Sequence, residues 1–181
     1  PPRNQLLAAP NGVDIDYFRP DPSVAPEPFS LVLTGEMQQR RNVDAALFLC
    51  QQILPLVRER YPQVRCFIVG RKPTPEVQSL AELPGVTVTG AVPDVRPYLA
   101  AATVAVAPYR FGSGVKHKIP IALAMGKPLV ATTNAIQGIA LADRRHGLIA
   151  DDAAGLADAI CTLLGDAALC QQLSRNARQL A

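Results

Sequence analysis

The chain alternates between short apolar runs and longer stretches in which apolar residues recur every three or four positions. Leu31-Val32-Leu33-Thr34-Gly35 is the first run and reads as a buried strand closed by glycine. Over residues 42–61 the positions Val43, Ala46, Leu47, Cys50, Ile53, Leu54 and Val57 keep a helical period, with Asn42 placed as its N-cap and Pro62 just past its end. Cys66-Phe67-Ile68-Val69-Gly70 predicts a second buried strand. Residues 75–83 read as helix with Pro75 in the first turn, and residues 86–89 as a third strand closed by Gly90. A short helix over 95–101, capped by Asp94, leads to a fourth strand over 104–107 that stops at Pro108. A glycine-flanked loop then opens into an apolar helical pattern, followed by strands at 129–131 and, more weakly, 147–150. Helices over 153–164 and 167–180, split by Gly165-Asp166, complete the pattern. Residues 1–30 are rich in proline and polar side chains. They predict a lead-in segment with a turn at Asn11-Gly12, leaving 31–181 as the folded domain.

Short apolar strands alternating with helices predict an α/β fold: a Rossmann-like parallel sheet of about six strands with helices on both faces and right-handed crossovers. In such sheets ligands bind beyond the carboxyl ends of the strands. Gly35, Gly70, Gly90 and the loop over 109–114 all fall at those ends, as candidate walls of one crevice.

Composition narrows the possibilities. With 181 residues the chain fits one domain, and 49% hydrophobic against 18% charged residues allows a sizeable core. A net charge of +3, no lysine- or arginine-rich block and no tryptophan argue against a nucleic-acid partner. No apolar run approaches the roughly 20 residues a membrane-spanning helix needs. Cys50, Cys66, Cys161 and Cys170 lie far apart in apolar segments and are expected as buried free thiols of a reducing compartment. His117 and His146 make no ligand spacing with them, so no metal site is expected.

The richest chemistry lies in FGSGVKHKIPIALAMGKPLVATT, residues 111–133. Glycines flank a loop that carries Lys116 and Lys118 and runs into a helix. Free backbone N–H groups at a helix start, its positive dipole end and two ammonium groups are the ingredients of a phosphate site.

Several segments together resemble one family: PNGVDIDYFRP (10–20), LTGEMQQRRNVDAALF (33–48), FIVGRKP (67–73), VTVTGAVPDVRPYLAAATVAVAPYRFGSGVKHKI (86–119) and ALAMGKPLVAT (122–132). The chain resembles the C-terminal, donor-binding half of group 1 glycosyltransferases of the GT-B fold. In detail it is similar to a bacterial subset that builds exopolysaccharide alongside exosortase-type sorting systems. The resemblance implies retaining transfer of a sugar from a nucleoside-diphosphate donor to an acceptor hydroxyl, with no cofactor and no metal. It implies a preceding N-terminal domain of the same polypeptide that supplies the acceptor site. Without that domain the half would have no transfer activity. A cytoplasmic location, with peripheral association at the inner face of a membrane through the full-length enzyme, is expected by the same analogy. The donor-binding residues it implies are Thr34 and Gly35 with Arg41 at the diphosphate, and Gly70, Arg71 and Val92 around the base. Gly112, Ser113, Gly114, Val115, Lys116 and Lys118 complete the diphosphate side.

The sequence also departs from that family. Glu36 stands where many relatives carry arginine. A pair of glutamates with seven residues between them is usual, and Ser113 and Ile121 occupy those places. Isoleucine cannot accept a hydrogen bond from ribose. Pro120 lacks the N–H that a helical bond to the Lys116 carbonyl needs, so the helix is expected to start near Ile119 or to kink. A degenerate nucleotide-binding or interaction domain without transfer activity is therefore the alternative reading.

Overall fold

The computed structural model describes residues 12–181, so Asn11 of the expected turn lies outside the described residues. Six strands form one sheet: β1 (Ser30–Thr34), β2 (Arg65–Val69), β3 (Val86–Val88), β4 (Val104–Ala107), β5 (Leu129–Ala131) and β6 (Leu148–Ile149). Their order is β3-β2-β1-β4-β5-β6, and every neighbouring pair is parallel. Leu31, Val32, Leu33, Val104 and Val130 are all buried, as expected of strands covered on both faces.

The chain moves outward from β1 to β3, then returns to the other side of β1 to begin β4. Right-handed crossovers in opposite directions place their helices on opposite faces. α1 (Arg40–Phe48), α2 (Leu54–Arg60) and α3 (Pro75–Ser79) belong to the first half, and α4 (Arg96–Ala101) and α5 (Lys118–Ala124) to the second. α6 (Ala153–Gly165) packs on α2, and α7 (Ala167–Leu180) packs on α5. Asp152 and Asp166 cap α6 and α7 by accepting the N–H groups of Gly155 at 2.7 Å and Leu169 at 2.8 Å. No single helix among the described residues is long and apolar enough to cross a membrane.

Two helix expectations change. The single helix over 42–61 is interrupted by a π-helical turn, Leu49–Ile53, in which the Leu54 N–H donates to the Leu49 carbonyl five residues back. Pro55 is the cause: it cannot donate to residue 51, and its ring clashes with that carbonyl unless the turn widens. Asn42 is also not a cap. It lies inside α1, fully buried, and Gln39 stands at the helix boundary.

The lead-in packs on the domain. Arg178 of α7 donates to the carbonyls of Phe18 at 3.0 Å, Ala124 at 2.8 Å and Ile15 at 2.9 Å, tying the segment to the end of α5. α5 itself ends in a Schellman turn, with Lys127 N–H on the Ala122 carbonyl, Gly126 N–H on that of Leu123, and Gly126 at φ 62°. The three core thiols Cys50, Cys66 and Cys161 are buried and free, and Cys170 is half-buried and free.

Candidate functional site

The loops after β1 and β4 leave the sheet at adjacent strands and diverge, which is where an open parallel sheet forms its ligand crevice. The loop after β1 is held against the loop after β2. Gly35 N–H donates to the Val69 carbonyl at 2.9 Å and Met37 N–H to that of Arg71 at 2.9 Å. A Cβ on Gly70 would fall on the carbonyl oxygen of Gly35, so only glycine lets the two backbones meet.

Lys118 opens α5 and reaches across to β1 and α1. A Cβ placed on Gly35 would lie 3.2 Å from Lys118 Cε and 3.0 Å from Asn42 Cγ. Lys118 Nζ donates to Asn42 Oδ1 at 3.1 Å and lies 5.9 Å from the centre of the Tyr109 ring. Burial, then the like charge of Arg41, lowers the Lys118 ammonium to about 8, against a smaller opposing pull from Glu36. Arg41, in the first turn of α1, lies against Gly112: a Cβ there would be 3.3 Å from Arg41 Cδ. Its Nε is buried without a partner, as is the Tyr109 hydroxyl. Burial pushes that hydroxyl far above its usual range. Thr34, Tyr109, Lys118 and Ile119 border a void of about 20 Å³ that is large enough for one water.

Lys116 behaves differently from the sequence expectation. Its Nζ is turned inward onto the carbonyls of Gly112 at 2.7 Å and Asn134 at 2.6 Å, and the residue is 4% exposed. Burial, then Arg41, lowers its ammonium. Lys116 thus clasps the glycine loop to the loop after β5, which Thr132 also anchors by donating to the Tyr109 carbonyl at 2.6 Å.

The expected cluster of free N–H groups at the helix start is also smaller. α5 spans seven residues, with Ile119 N–H on the Lys116 carbonyl and Ile121 N–H on that of His117. Pro120 therefore sits in the first turn without a kink, because the Lys116 carbonyl it cannot serve is taken by Ile119.

The remaining residues divide clearly. The structure brings Thr34, Gly35, Arg41, Gly112, Lys116 and Lys118 together at the β1/β4 crevice. Ser113 and Gly114 are exposed on the loop, and Val115 packs against the loop after β5. Arg71 is engaged by Glu36 at 3.3 Å, and Glu36 also accepts from Gln38 at 2.9 Å and Gln39 at 3.1 Å. Desolvation pushes the Glu36 carboxyl up, but Arg71 and Gln39 outweigh it and hold it below its usual range. Val92 stands apart, on the loop after β3 and two strands out from β1. Ile121 is half-buried and packs against the core. A cavity of about 600 Å³ lies elsewhere, between the lead-in and α4, lined by Tyr17, Arg19, Asp94, Arg96 and Met125 among others. It shares no lining residue with the cation cluster.

The residues missed were Asn42, Tyr109 and Asn134. Asn42 carried a signal: it stands at the head of the buried helical stripe Ala45, Ala46, Leu49, a polar residue in an apolar series.

This fold is that of the C-terminal domain of a GT-B glycosyltransferase. The model of the family described as "Glycosyl transferases group 1" matches residues 28–166, and the chain belongs to that family. Solved structures with the same fold include S. aureus TarM in complex with UDP, 17% identical with a TM-score of 0.77, over 94% of this chain and 34% of TarM. HepE of Anabaena, in complex with UDP and glucose, is 18% identical with a TM-score of 0.75, over 94% of this chain and 50% of that one. Sucrose-phosphate synthase of Thermosynechococcus elongatus is 25% identical with a TM-score of 0.72, over 93% and 46%. The chain thus spans about a third to a half of these proteins' lengths. No curated protein sequence matches significantly.

Proposed function

We propose that this domain binds the nucleoside diphosphate of a sugar donor in the β1/β4 crevice, for retaining transfer of the sugar to an acceptor hydroxyl held by another domain. The observation that carries the reading is that Lys118 lies against Gly35 and Arg41 against Gly112, two cations near enough for Arg41 to lower the Lys118 ammonium, at the point where the sheet's connections reverse. The UDP bound by HepE and by TarM supports the same ligand class here. The donor's leaving group gains charge as the glycosidic bond breaks, and two fixed cations in a partly dry crevice stabilise that charge without reorganising. Lys116 acts from behind, holding the glycine loop in shape. A role in polysaccharide synthesis follows from the sequence resemblance, with no metal in the proposed chemistry.

Isothermal calorimetry with UDP, GDP, ADP and dTDP tests the reading. At least one should bind at millimolar concentration or tighter, and Lys118→Ala should weaken it about tenfold or more, a loss of about 1.4 kcal/mol. Absence of binding by all four, or binding indifferent to Lys118, would overturn it.

A further inference from the structure

Asn42 is a buried amide inside a helix, where an apolar side chain would be the cheaper occupant. It is 0% exposed, and both ends of its amide are used. Nδ2 donates to the Glu36 carbonyl at 2.8 Å and Oδ1 accepts from Lys118 Nζ at 3.1 Å. Only this orientation of the amide works, because the reverse would set an NH2 group against an ammonium and an oxygen against a carbonyl. One side chain therefore joins the loop after β1 to the first residue of α5, across the switch point of the sheet. Gly35 makes the junction possible, since any side chain there would press on both Asn42 and Lys118.

We infer that Asn42 is a positioning residue, which fixes the Lys118 ammonium beside Gly35 and locks the loop that carries Glu36 to it. The inference rests on the donor-site reading for its purpose, although the contact itself does not depend on it. The charged or titratable groups that act on Lys118 besides Asn42 are Arg41 of α1, Glu36 of the loop after β1 and Tyr109 of the loop after β4. None of them donates to or accepts from both partners as Asn42 does.

The test is the titration of Lys118 itself, followed by NMR of lysine side chains labelled at Cε and assigned with Lys118→Met, without nucleotide. Asn42→Asp keeps the shape but places a carboxylate on the ammonium, so the Lys118 midpoint should rise. Asn42→Ala removes the acceptor and the midpoint should fall. Opposite shifts mark direct contact, which a general loosening of the helix would not give. UDP affinity should drop about tenfold in both variants, because Asp neutralises the lysine and repels the Glu36 carbonyl, while Ala frees the lysine to wander. If Asn42→Ala does not fold, the isosteric Asn42→Asp decides alone. A Lys118 midpoint unmoved by Asn42→Asp overturns the inference even where UDP binds the parental protein. If the parental protein binds no nucleotide, the donor reading fails while the titration still reports on the contact.

Discussion

The carbonyl oxygen of Gly35 occupies the space that a side chain on Gly70 would need. This contact sets the spacing of the loops after β1 and β2, and with it one wall of the crevice. The hydrogen bond from Gly35 N–H to the Val69 carbonyl holds the pair in register.

Replacing Gly70 by alanine forces those backbones apart. We expect a stability loss of about 3 kcal/mol, in the range of overpacking with backbone strain. Urea denaturation measures it; an unchanged midpoint would mean that the two loops separate freely.

The two lysines of the glycine loop are expected to part company when each is replaced by methionine. Lys116→Met leaves the Gly112 and Asn134 carbonyls without their donor and should cost about 1–3 kcal/mol of stability. Lys118→Met leaves the buried Asn42 Oδ1 without its donor but also removes a desolvated ammonium, and because the two effects oppose, the melting temperature at neutral pH should change less than in Lys116→Met, while UDP affinity falls. Equal effects of the two substitutions on stability would contradict the division of roles.

Alkaline pH gives a signed prediction. Burial, then Arg41, brings the Lys118 ammonium to about 8 in the folded protein, against 10.5 when unperturbed. The unfolded chain therefore binds more protons between those values, and stability gains from Lys118 as pH rises from about 8 to 10.5. Lys127, whose Nζ is buried on the carbonyls of Ala100 and Ala102, is likewise lowered by burial to about 8 and acts with the same sign. Cys170, raised by burial to about 11 from 9.0, acts in the opposite direction. The difference between the parental protein and Lys118→Met isolates the first contribution: the gap in unfolding free energy should change across this window. UDP affinity should fall as pH rises above about 8 in the parental protein and respond less in the variant.

Ile121 replaces the carboxylate that the family resemblance places on ribose. It is half-buried on α5, so glutamate can keep its charge hydrated at the helix surface. Ile121→Glu is expected to tighten binding of UDP several-fold more than that of dTDP, which lacks the 2′-hydroxyl. Calorimetry with both nucleotides checks this; equal gains, or none, would show that Ile121 does not reach the ribose.

The order of strands and helices was legible in the sequence because burial on both faces of a parallel sheet imposes unbroken runs such as Leu31–Leu33 and Val104–Ala107, each closed by a turn residue. The glycine-flanked loop with its two lysines ahead of a helical pattern was legible as a motif, and the structure places Lys118 of that loop beside Gly35. What the sequence did not determine was which lysine faces the crevice. Lys116 and Lys118 are separated by one residue and chemically equal, and only the carbonyls of Gly112 and Asn134 turn one inward while Asn42 draws the other toward Gly35. Those partners lie 18 and 76 residues away along the chain, separations at which no local pattern carries information. The same holds for Pro120, whose fault in a helix disappears once Ile119 takes the Lys116 carbonyl. Local periodicity fixed the elements, and tertiary contact assigned the charges, because a hydrogen-bond partner is chosen by distance in space.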